Sequence, residues 1–558
     1  MRRLALLPAL LLTAAVILAP PSVASAAEVG INAVGAGPQQ SVEIADGVGA
    51  RWVRSFVRWD TIEPVRQDQW SGAPVAAIDE IVGKASLRGM KVLLVVFGAP
   101  SWANGSSDPL VPPSDAGTYA HFVAKMAARY KGQVAAWEIW NEPDADEFWH
   151  GTVSPAAYAP LLRAAHPRIK AADPATMVLA SPSTGNDYRF LEGIYAAGAG
   201  HAFDGVVVHT DTACNITSPD SYYREPDGRI GQFSFLGWRE VREVLVRNGQ
   251  AHKPIIISEI GWSASQTPCA RGAKAGQKAA GVSESSQAAF LRTAWRCMAT
   301  YPGVLAALWF SARDHGHVDE ELNRYGLLRT DNSHRPAFGA LAAIGAGEPV
   351  GTGCGDFTGP RLEVLSPRPS TIFDRALLLE ATGRDEGSGL RSISFYGAGK
   401  KLRTFGNLRN GQKVAFEWNR ARYLPFGPVK VVVVAVDGFG NPTREEIDVQ
   451  RVDPAALPQQ PTKVTLKVTG KGRTRTAKGR VDAPGFAAWR PGGRVLITWE
   501  AFRDGRWKPV HKMSRSASRS FTYRQRLRFG GRWRCVGEYQ AERPFEKSRS
   551  KRVKFKVS

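Results

Sequence analysis

The sequence predicts an α/β fold: a (β/α)8 TIM barrel followed by two all-β, immunoglobulin-like sandwich domains. Eight short apolar runs, separated by stretches of helical period, occupy residues 28–347. Beyond them the helical period disappears and short alternating runs take over. Two Gly- and Pro-containing linkers divide this C-terminal region.

The eight apolar runs are residues 29–33, 52–57, 91–97, 134–139, 177–181, 205–209, 254–258 and 304–310, about 39 residues apart on average. That spacing leaves room for a crossover helix each time, as parallel strands require. Val92-Leu93-Leu94-Val95-Val96 and Ile255-Ile256-Ile257 are apolar on both faces, as strands covered on both sides should be. Segments 119–130 and 287–301 carry apolar residues at helical spacing. An open doubly wound sheet is the rival, but no Gly-rich phosphate fingerprint follows the first run. After the linker around Gly351 to Gly355, runs at 376–381, 392–396 and 429–436 read as a β-sandwich over residues 358–452. Pro454, Pro458 and Pro461 then lead into a basic β-sandwich over residues 461–558.

Residues 1–26 read as an export signal. Arg2 and Arg3 precede an apolar stretch broken by Pro8, and Ala24-Ser25-Ala26 offers a small-residue cleavage site. A secreted, extracellular protein is expected, with no membrane span. Hydrophobic residues make up 43% and charged residues 22% of the 558, which excludes disorder over most of the length. Export makes disulfides available to the five cysteines. Placement suggests Cys214–Cys269 and Cys297–Cys354, with Cys535 left free. No C-x-x-C spacing is present, so no metal site is expected. Charge is uneven: of a net +22, most falls in residues 459–558, which hold 27 Lys and Arg against 6 Asp and Glu.

Two segments carry chemistry. Trp137-Glu138-Ile139-Trp140-Asn141-Glu142-Pro143 runs strand alternation into Glu142, and Pro143, lacking an N–H, ends the ladder. Ile255-Ile256-Ile257-Ser258-Glu259-Ile260-Gly261-Trp262 closes an apolar strand at Glu259. In the predicted barrel these are the ends of strands four and seven, on the face where barrel enzymes keep their chemistry. Two carboxyls brought together there suit glycosidic cleavage, in which one gives a proton and the other attacks.

These motifs resemble those of clan A glycoside hydrolases, with families 5 and 39 nearest. The likeness spans about residues 29–341. Trp52-Val53-Arg54, Trp59-Asp60-Thr61-Ile62-Glu63-Pro64 and Phe97-Gly98-Ala99-Pro100-Ser101-Trp102 resemble the second- and third-strand patterns. Tyr325-Gly326-Leu327-Leu328 and Arg335-Pro336-Ala337 resemble the barrel ending. The resemblance implies a retaining enzyme without cofactor, with Glu142 as acid/base and Glu259 as nucleophile. It further implies that Asn141 bonds the sugar 2-hydroxyl, Arg54 keeps Glu259 ionised, His209 is a subsite residue and Trp309 forms the floor beneath the sugar. A structural salt bridge for Arg54, with Arg58 as rival, stays open, as do a buried structural His209 and simple packing for Trp309. The strand-six histidine of these families is commonly followed two positions on by a tyrosine. Here the run is His209-Thr210-Asp211, leaving Tyr222 or Tyr223 as replacements.

A polysaccharide or oligosaccharide is the expected substrate. A non-catalytic carbohydrate- or cell-wall-binding protein and a transglycosylase are the alternatives. In the last domain Trp489, Trp499, Trp507 and Trp533 alternate with arginines, a pattern able to hold a nucleic acid by stacking and charge. No nucleic-acid fold motif accompanies it, so an anionic cell-surface polymer or acidic polysaccharide is the expected partner of this domain, with a basic sandwich serving as spacer as the alternative.

Overall fold

A computed structural model describes residues 27–210, 218–267, 281–301, 303–483, 493–517, 520–541 and 544–558. The expected signal segment, Cys214, Cys269 and Trp489 lie outside the described residues.

Eight parallel strands close into a barrel in sequence order. They are β1 (Glu28–Asn32), β2 (Trp52–Arg58), β3 (Lys91–Phe97), β4 (Val134–Ile139), β5 (Met177–Ala180), β6 (Gly205–His209), β7 (Ile255–Ile260) and β8 (Val304–Trp309). Every predicted run is a strand, with ends displaced by at most two residues. Closure pairs Gly30 of β1 with Leu308 of β8. Only glycine fits there, since a Cβ on Gly30 would stand 2.6 Å from Leu308 Cγ and 2.8 Å from Trp52 Cβ. The helices Ala116–Arg129 and Glu284–Thr300 begin three residues before the predicted segments, because Asp115 and Ser283 accept hydrogen bonds from their first-turn amides.

A disulfide joins Cys297, on the helix Glu284–Thr300, to Cys354, as expected. Among the described residues Cys535 is free and buried. No helix among them is long and apolar enough to cross a membrane.

The chain divides into a unit ending at Asp356 and a second beginning at Phe357. The second is all-β. Its first part holds β9 (Arg361–Ser366), β10 (Ile372–Phe373), β11 (Leu377–Arg384), β12 (Leu390–Gly397), β13 (Lys400–Gly406), β14 (Lys413–Trp418), β15 (Gly427–Asp437) and β16 (Pro442–Arg451). These form a five-stranded sheet, β10-β16-β15-β12-β13, and a three-stranded one, β14-β11-β9. Leu379, Ile393, Phe395, Val431 and Val433 are buried in their shared core.

Its second part holds β17 (Lys463–Thr469), β18 (Thr474–Asp482), β19 (Arg494–Arg503), β20 (Arg506–Ser516), β21 (Phe521–Arg526), β22 (Gly531–Gln540), β23 (Ser548–Arg549) and β24 (Val553–Val557). One sheet is β17-β18-β21; the other runs β20-β19-β22-β23, with β24 also on β22. Trp499 and Trp533, read from sequence as stacking residues among arginines, are instead fully buried in this core. Their alternation with charge is the ordinary in–out period of a strand. Trp507 is half-buried.

Candidate active site

Alternate side chains of each barrel strand face the axis. Trp52, Leu93, Ala136, Leu179, Val207 and Ile256 pack together in an apolar layer. One step of the period further toward the C-terminal end, the layer turns polar on four of these strands: Arg54, Glu138, Ser181 and His209, all buried.

Arg54 organises this layer. Its Nε and Nη2 bind the two oxygens of Glu138 at 2.8 and 3.0 Å. Nη2 also donates to Asn141 Oδ1 at 2.9 Å, while Nη1 donates to Asn32 Oδ1 at 2.8 Å and to Glu259 Oε1 at 2.5 Å. The five N–H groups of a guanidinium are thereby all used. Asn32 in turn donates through Nδ2 to the carbonyl of Ser258, 2.8 Å away, and so fixes β1 to the strand that carries Glu259. Ser181 Oγ donates to Glu138 Oε1 at 3.2 Å.

Simple alternation on β7 would present Ser258 to the axis. The β6–β7 register instead pairs Val208 with Ile257 and His209 with Glu259, so one extra residue bulges out of β7 and Glu259 takes the place. Glu142 arrives differently. Trp140 and Glu142 have φ of 64° and 43°, in the left-handed region that a bulky residue rarely adopts. The surroundings hold Trp140 there: its amide donates to the Val96 carbonyl at 3.0 Å and its Nε1 to the Phe148 carbonyl at 2.8 Å.

The imidazole of His209 stands between the two acids. Nδ1 is 2.7 Å from Glu142 Oε1, and Nε2 is 3.6 Å from Glu259 Oε1. Nδ1 thus meets Glu142, while Nε2 faces Glu259 from beyond hydrogen-bond distance and has no hydrogen-bond partner among the described residues. Glu142 and Glu259 keep 18% and 10% of their side-chain surface open, whereas Arg54 keeps none. Burial opposes charge on His209, but Glu259, Glu138 and Glu142 outweigh it and hold its pKa well above the usual histidine value. Burial likewise works against ionisation of Glu138, and Arg54 with His209 reverses this, so its carboxyl lies below the usual range.

Residues 31–220 match the family model for cellulases, glycosyl hydrolase family 5. The matched stretch contains Arg54, Glu138, Asn141, Glu142 and His209. The protein is a glycoside hydrolase. Among solved structures, this glycoside hydrolase is similar to a family 39 glycoside hydrolase from the gut symbiont Bacteroides cellulosilyticus, with 18% identity, 70% of this chain and 79% of that one covered, and a TM-score of 0.48. An endo-β-1,4-mannanase from Thermotoga petrophila shares 14% identity, over 76% and 98% of the two chains, with a TM-score of 0.38. A GH5_18 protein from Streptomyces cattleya, solved in complex with GlcNAc, shares 17% identity over 62% and 84%, with a TM-score of 0.44.

The structure brings Glu142, Glu259, Asn141, Arg54 and His209 into one cluster and leaves Trp309 outside it. Trp309 is fully buried, donates from Nε1 to the Tyr325 carbonyl at 2.9 Å and packs 6.2 Å from Trp262. The reason is again the period of two: Leu308 faces the axis, so Trp309 points outward, and the aromatic returning to the partly exposed rim is Phe310. Arg54 reaches Glu259, the partner the resemblance implied for it, and is fully buried. His209, expected at a subsite or as a buried structural residue, is 1% exposed and lies against Glu142. Arg58, the rival of Arg54, is spent on Asp60 through Nε and Nη2, both at 2.8 Å. Tyr222 gives its hydroxyl to the Asp356 carbonyl, and Tyr223 is largely exposed. Asn32 and Glu138 escaped the sequence reading. For Glu138 a signal existed, since it lies two residues beyond axis-facing Ala136.

Proposed function

We propose that this glycoside hydrolase cleaves O-glycosidic bonds of a polysaccharide or oligosaccharide with retention of configuration, through a covalent glycosyl-enzyme. The observation that supports the reading best is the single imidazole spanning Glu142 and Glu259, with Glu259 pinned at the same time by Arg54. Arg54 occupies Oε1 of Glu259, which leaves Oε2 to attack the anomeric carbon. As that bond forms, the glycosidic C–O bond breaks and Glu142 delivers its proton to the departing oxygen. Glu142 then takes a proton from water, which attacks the same carbon and releases Glu259. Asn141, its Oδ1 held by Arg54, has its amide N–H groups to offer a sugar hydroxyl.

Magnetic resonance of the first-formed sugar tests the stereochemistry. The anomer of the substrate is expected, and the opposite anomer overturns the reading. Glu259→Ala should abolish turnover. Glu142→Ala should lose about 10²–10⁴-fold on poor leaving groups and far less on dinitrophenyl glycosides. Full activity in purified Glu259→Ala would remove the assignment.

The reading further includes export by residues 1–26 and an anionic extracellular polymer as partner of the basic C-terminal sandwich, supported by the leader pattern and by charge asymmetry alone.

A further inference from the structure

The three-stranded sheet β17-β18-β21 has one face in the core, through Val464, Ala477, Val481 and Phe521. The register fixes what the other face carries. Lys467 pairs with Lys478, Thr465 with Arg480 and Lys463 with Asp482. On the next strand, Thr476 pairs with Arg524, Thr474 with Arg526 and Lys478 with Thr522. With Thr469, opposite Thr476, these twelve outward positions hold six cations, five threonines and one acid. All six cations are exposed. Asp482 is committed to Arg480 at 2.9 Å. Among the described residues the other five have no ion-pair partner.

Such an arrangement is unfavourable for folding by itself. Lys467 and Lys478 are directly opposed, at a separation where like charges destabilise a sheet. Arg524 and Arg526 repeat the charge about 7 Å apart along one strand. Alternating Lys with Glu would solubilise a sheet face equally well, without the repulsion. A face of cations interleaved with threonines, with a single acid at its edge already paired to Arg480 and no aromatic ring, suits a ligand with repeated negative charge and hydroxyl groups, bound by charge and hydrogen bonds rather than stacking.

We infer that this outer face docks a carboxylate-bearing polysaccharide. Arginine offers a planar fork that matches a carboxylate, and the threonines can bond sugar hydroxyls. The cationic face stands independently of the barrel. Choosing a polysaccharide over other polyanions rests on the glycosidase reading.

The full-length protein, titrated with polygalacturonate, linear polyphosphate and neutral dextran at 0.05 and 0.5 M NaCl, tests this. Binding to polygalacturonate is expected at low salt, at least tenfold weaker at high salt as screening shortens the reach of surface charge, with none to dextran. Lys467→Gln/Lys478→Gln/Arg524→Gln/Arg526→Gln should weaken it at least tenfold. Lys554→Gln/Lys556→Gln, on exposed positions of β24 in the other sheet, should leave it within twofold. The double variant Lys467→Gln/Lys478→Gln, with less altered, should show an intermediate loss if the fourfold one fails to fold. Binding to polyphosphate only, no binding to polygalacturonate, or equal loss in the β24 variant would overturn the inference. Hydrolysis of a small neutral aryl glycoside should be unchanged throughout, so loss of docking and failure of the glycosidase reading give different results.

Discussion

Arg54 has five N–H groups and five acceptors for them, contributed by Asn32, Glu138, Asn141 and Glu259. Lysine keeps the charge but offers three donors on a flexible stem. In Arg54→Lys at least two acceptors lose a partner, at about 1–3 kcal/mol each. A fall in kcat/KM of at least tenfold with a lowered melting temperature is expected. Kinetics like those of the parent would show that the cluster does not depend on the fork. A second residue gives a pH signature. Asp144 accepts from the Thr184 amide at 2.8 Å and from its hydroxyl at 3.0 Å. Burial, with Asp187 and Glu142 nearby, pushes its pKa up to about 8 from 3.8. Between those values the folded protein holds a proton that the unfolded chain releases, so this group lowers stability as pH rises through that window. Asp144→Asn should therefore melt like the parent near pH 4 and above it near pH 8. Parallel melting curves across that range would refute the assignment. Legibility at this scale was uneven: Glu142 and Glu259 stood out because both close apolar strands, whereas Asn32 announced nothing, its role existing only across the barrel.

At the scale of elements, the eight strands were readable because a parallel barrel buries both faces of each strand and so leaves continuous apolar runs. The departures from regular alternation were not. The bulge that turns Glu259 inward depends on how β6 and β7 pair, and the left-handed backbone at Trp140 depends on the groups that hold it. Trp309 was misassigned by one step of the period, which on a strand reverses the face. The link from Cys297 to Cys354 spans 57 residues between the helix Glu284–Thr300 and the chain that leaves the barrel. Replacing both cysteines by serine should cost about 2–4 kcal/mol, read as a lower denaturation midpoint under oxidising conditions. Turnover at 25 °C should persist, since neither cysteine touches the cluster around Arg54. An unchanged midpoint would contradict this.

For the whole molecule, the sequence placed the first boundary at residue 347, where helical periodicity ends, whereas the unit extends to Asp356. The difference has a physical cause: Cys354 belongs to the barrel by its disulfide, and a Gly-rich stretch carries no periodic signal of that. A chain of residues 27–356 is expected to fold and to hydrolyse soluble substrates at the rate of the full protein, while failing to bind polygalacturonate. One cut at 347 lacks Cys354 and should melt lower. An inactive 27–356 chain would show that the β-rich unit is needed for chemistry.

Since no donor of Arg54 remains unspent, an arriving sugar finds that frame already assembled and has nothing in it to rearrange. Binding free energy is then not diverted into ordering the frame. Crystals soaked with a mechanism-based fluorosugar should superpose on the empty enzyme at Asn32, Arg54 and Glu138, and any adjustment on binding should be confined to the rim around Phe310.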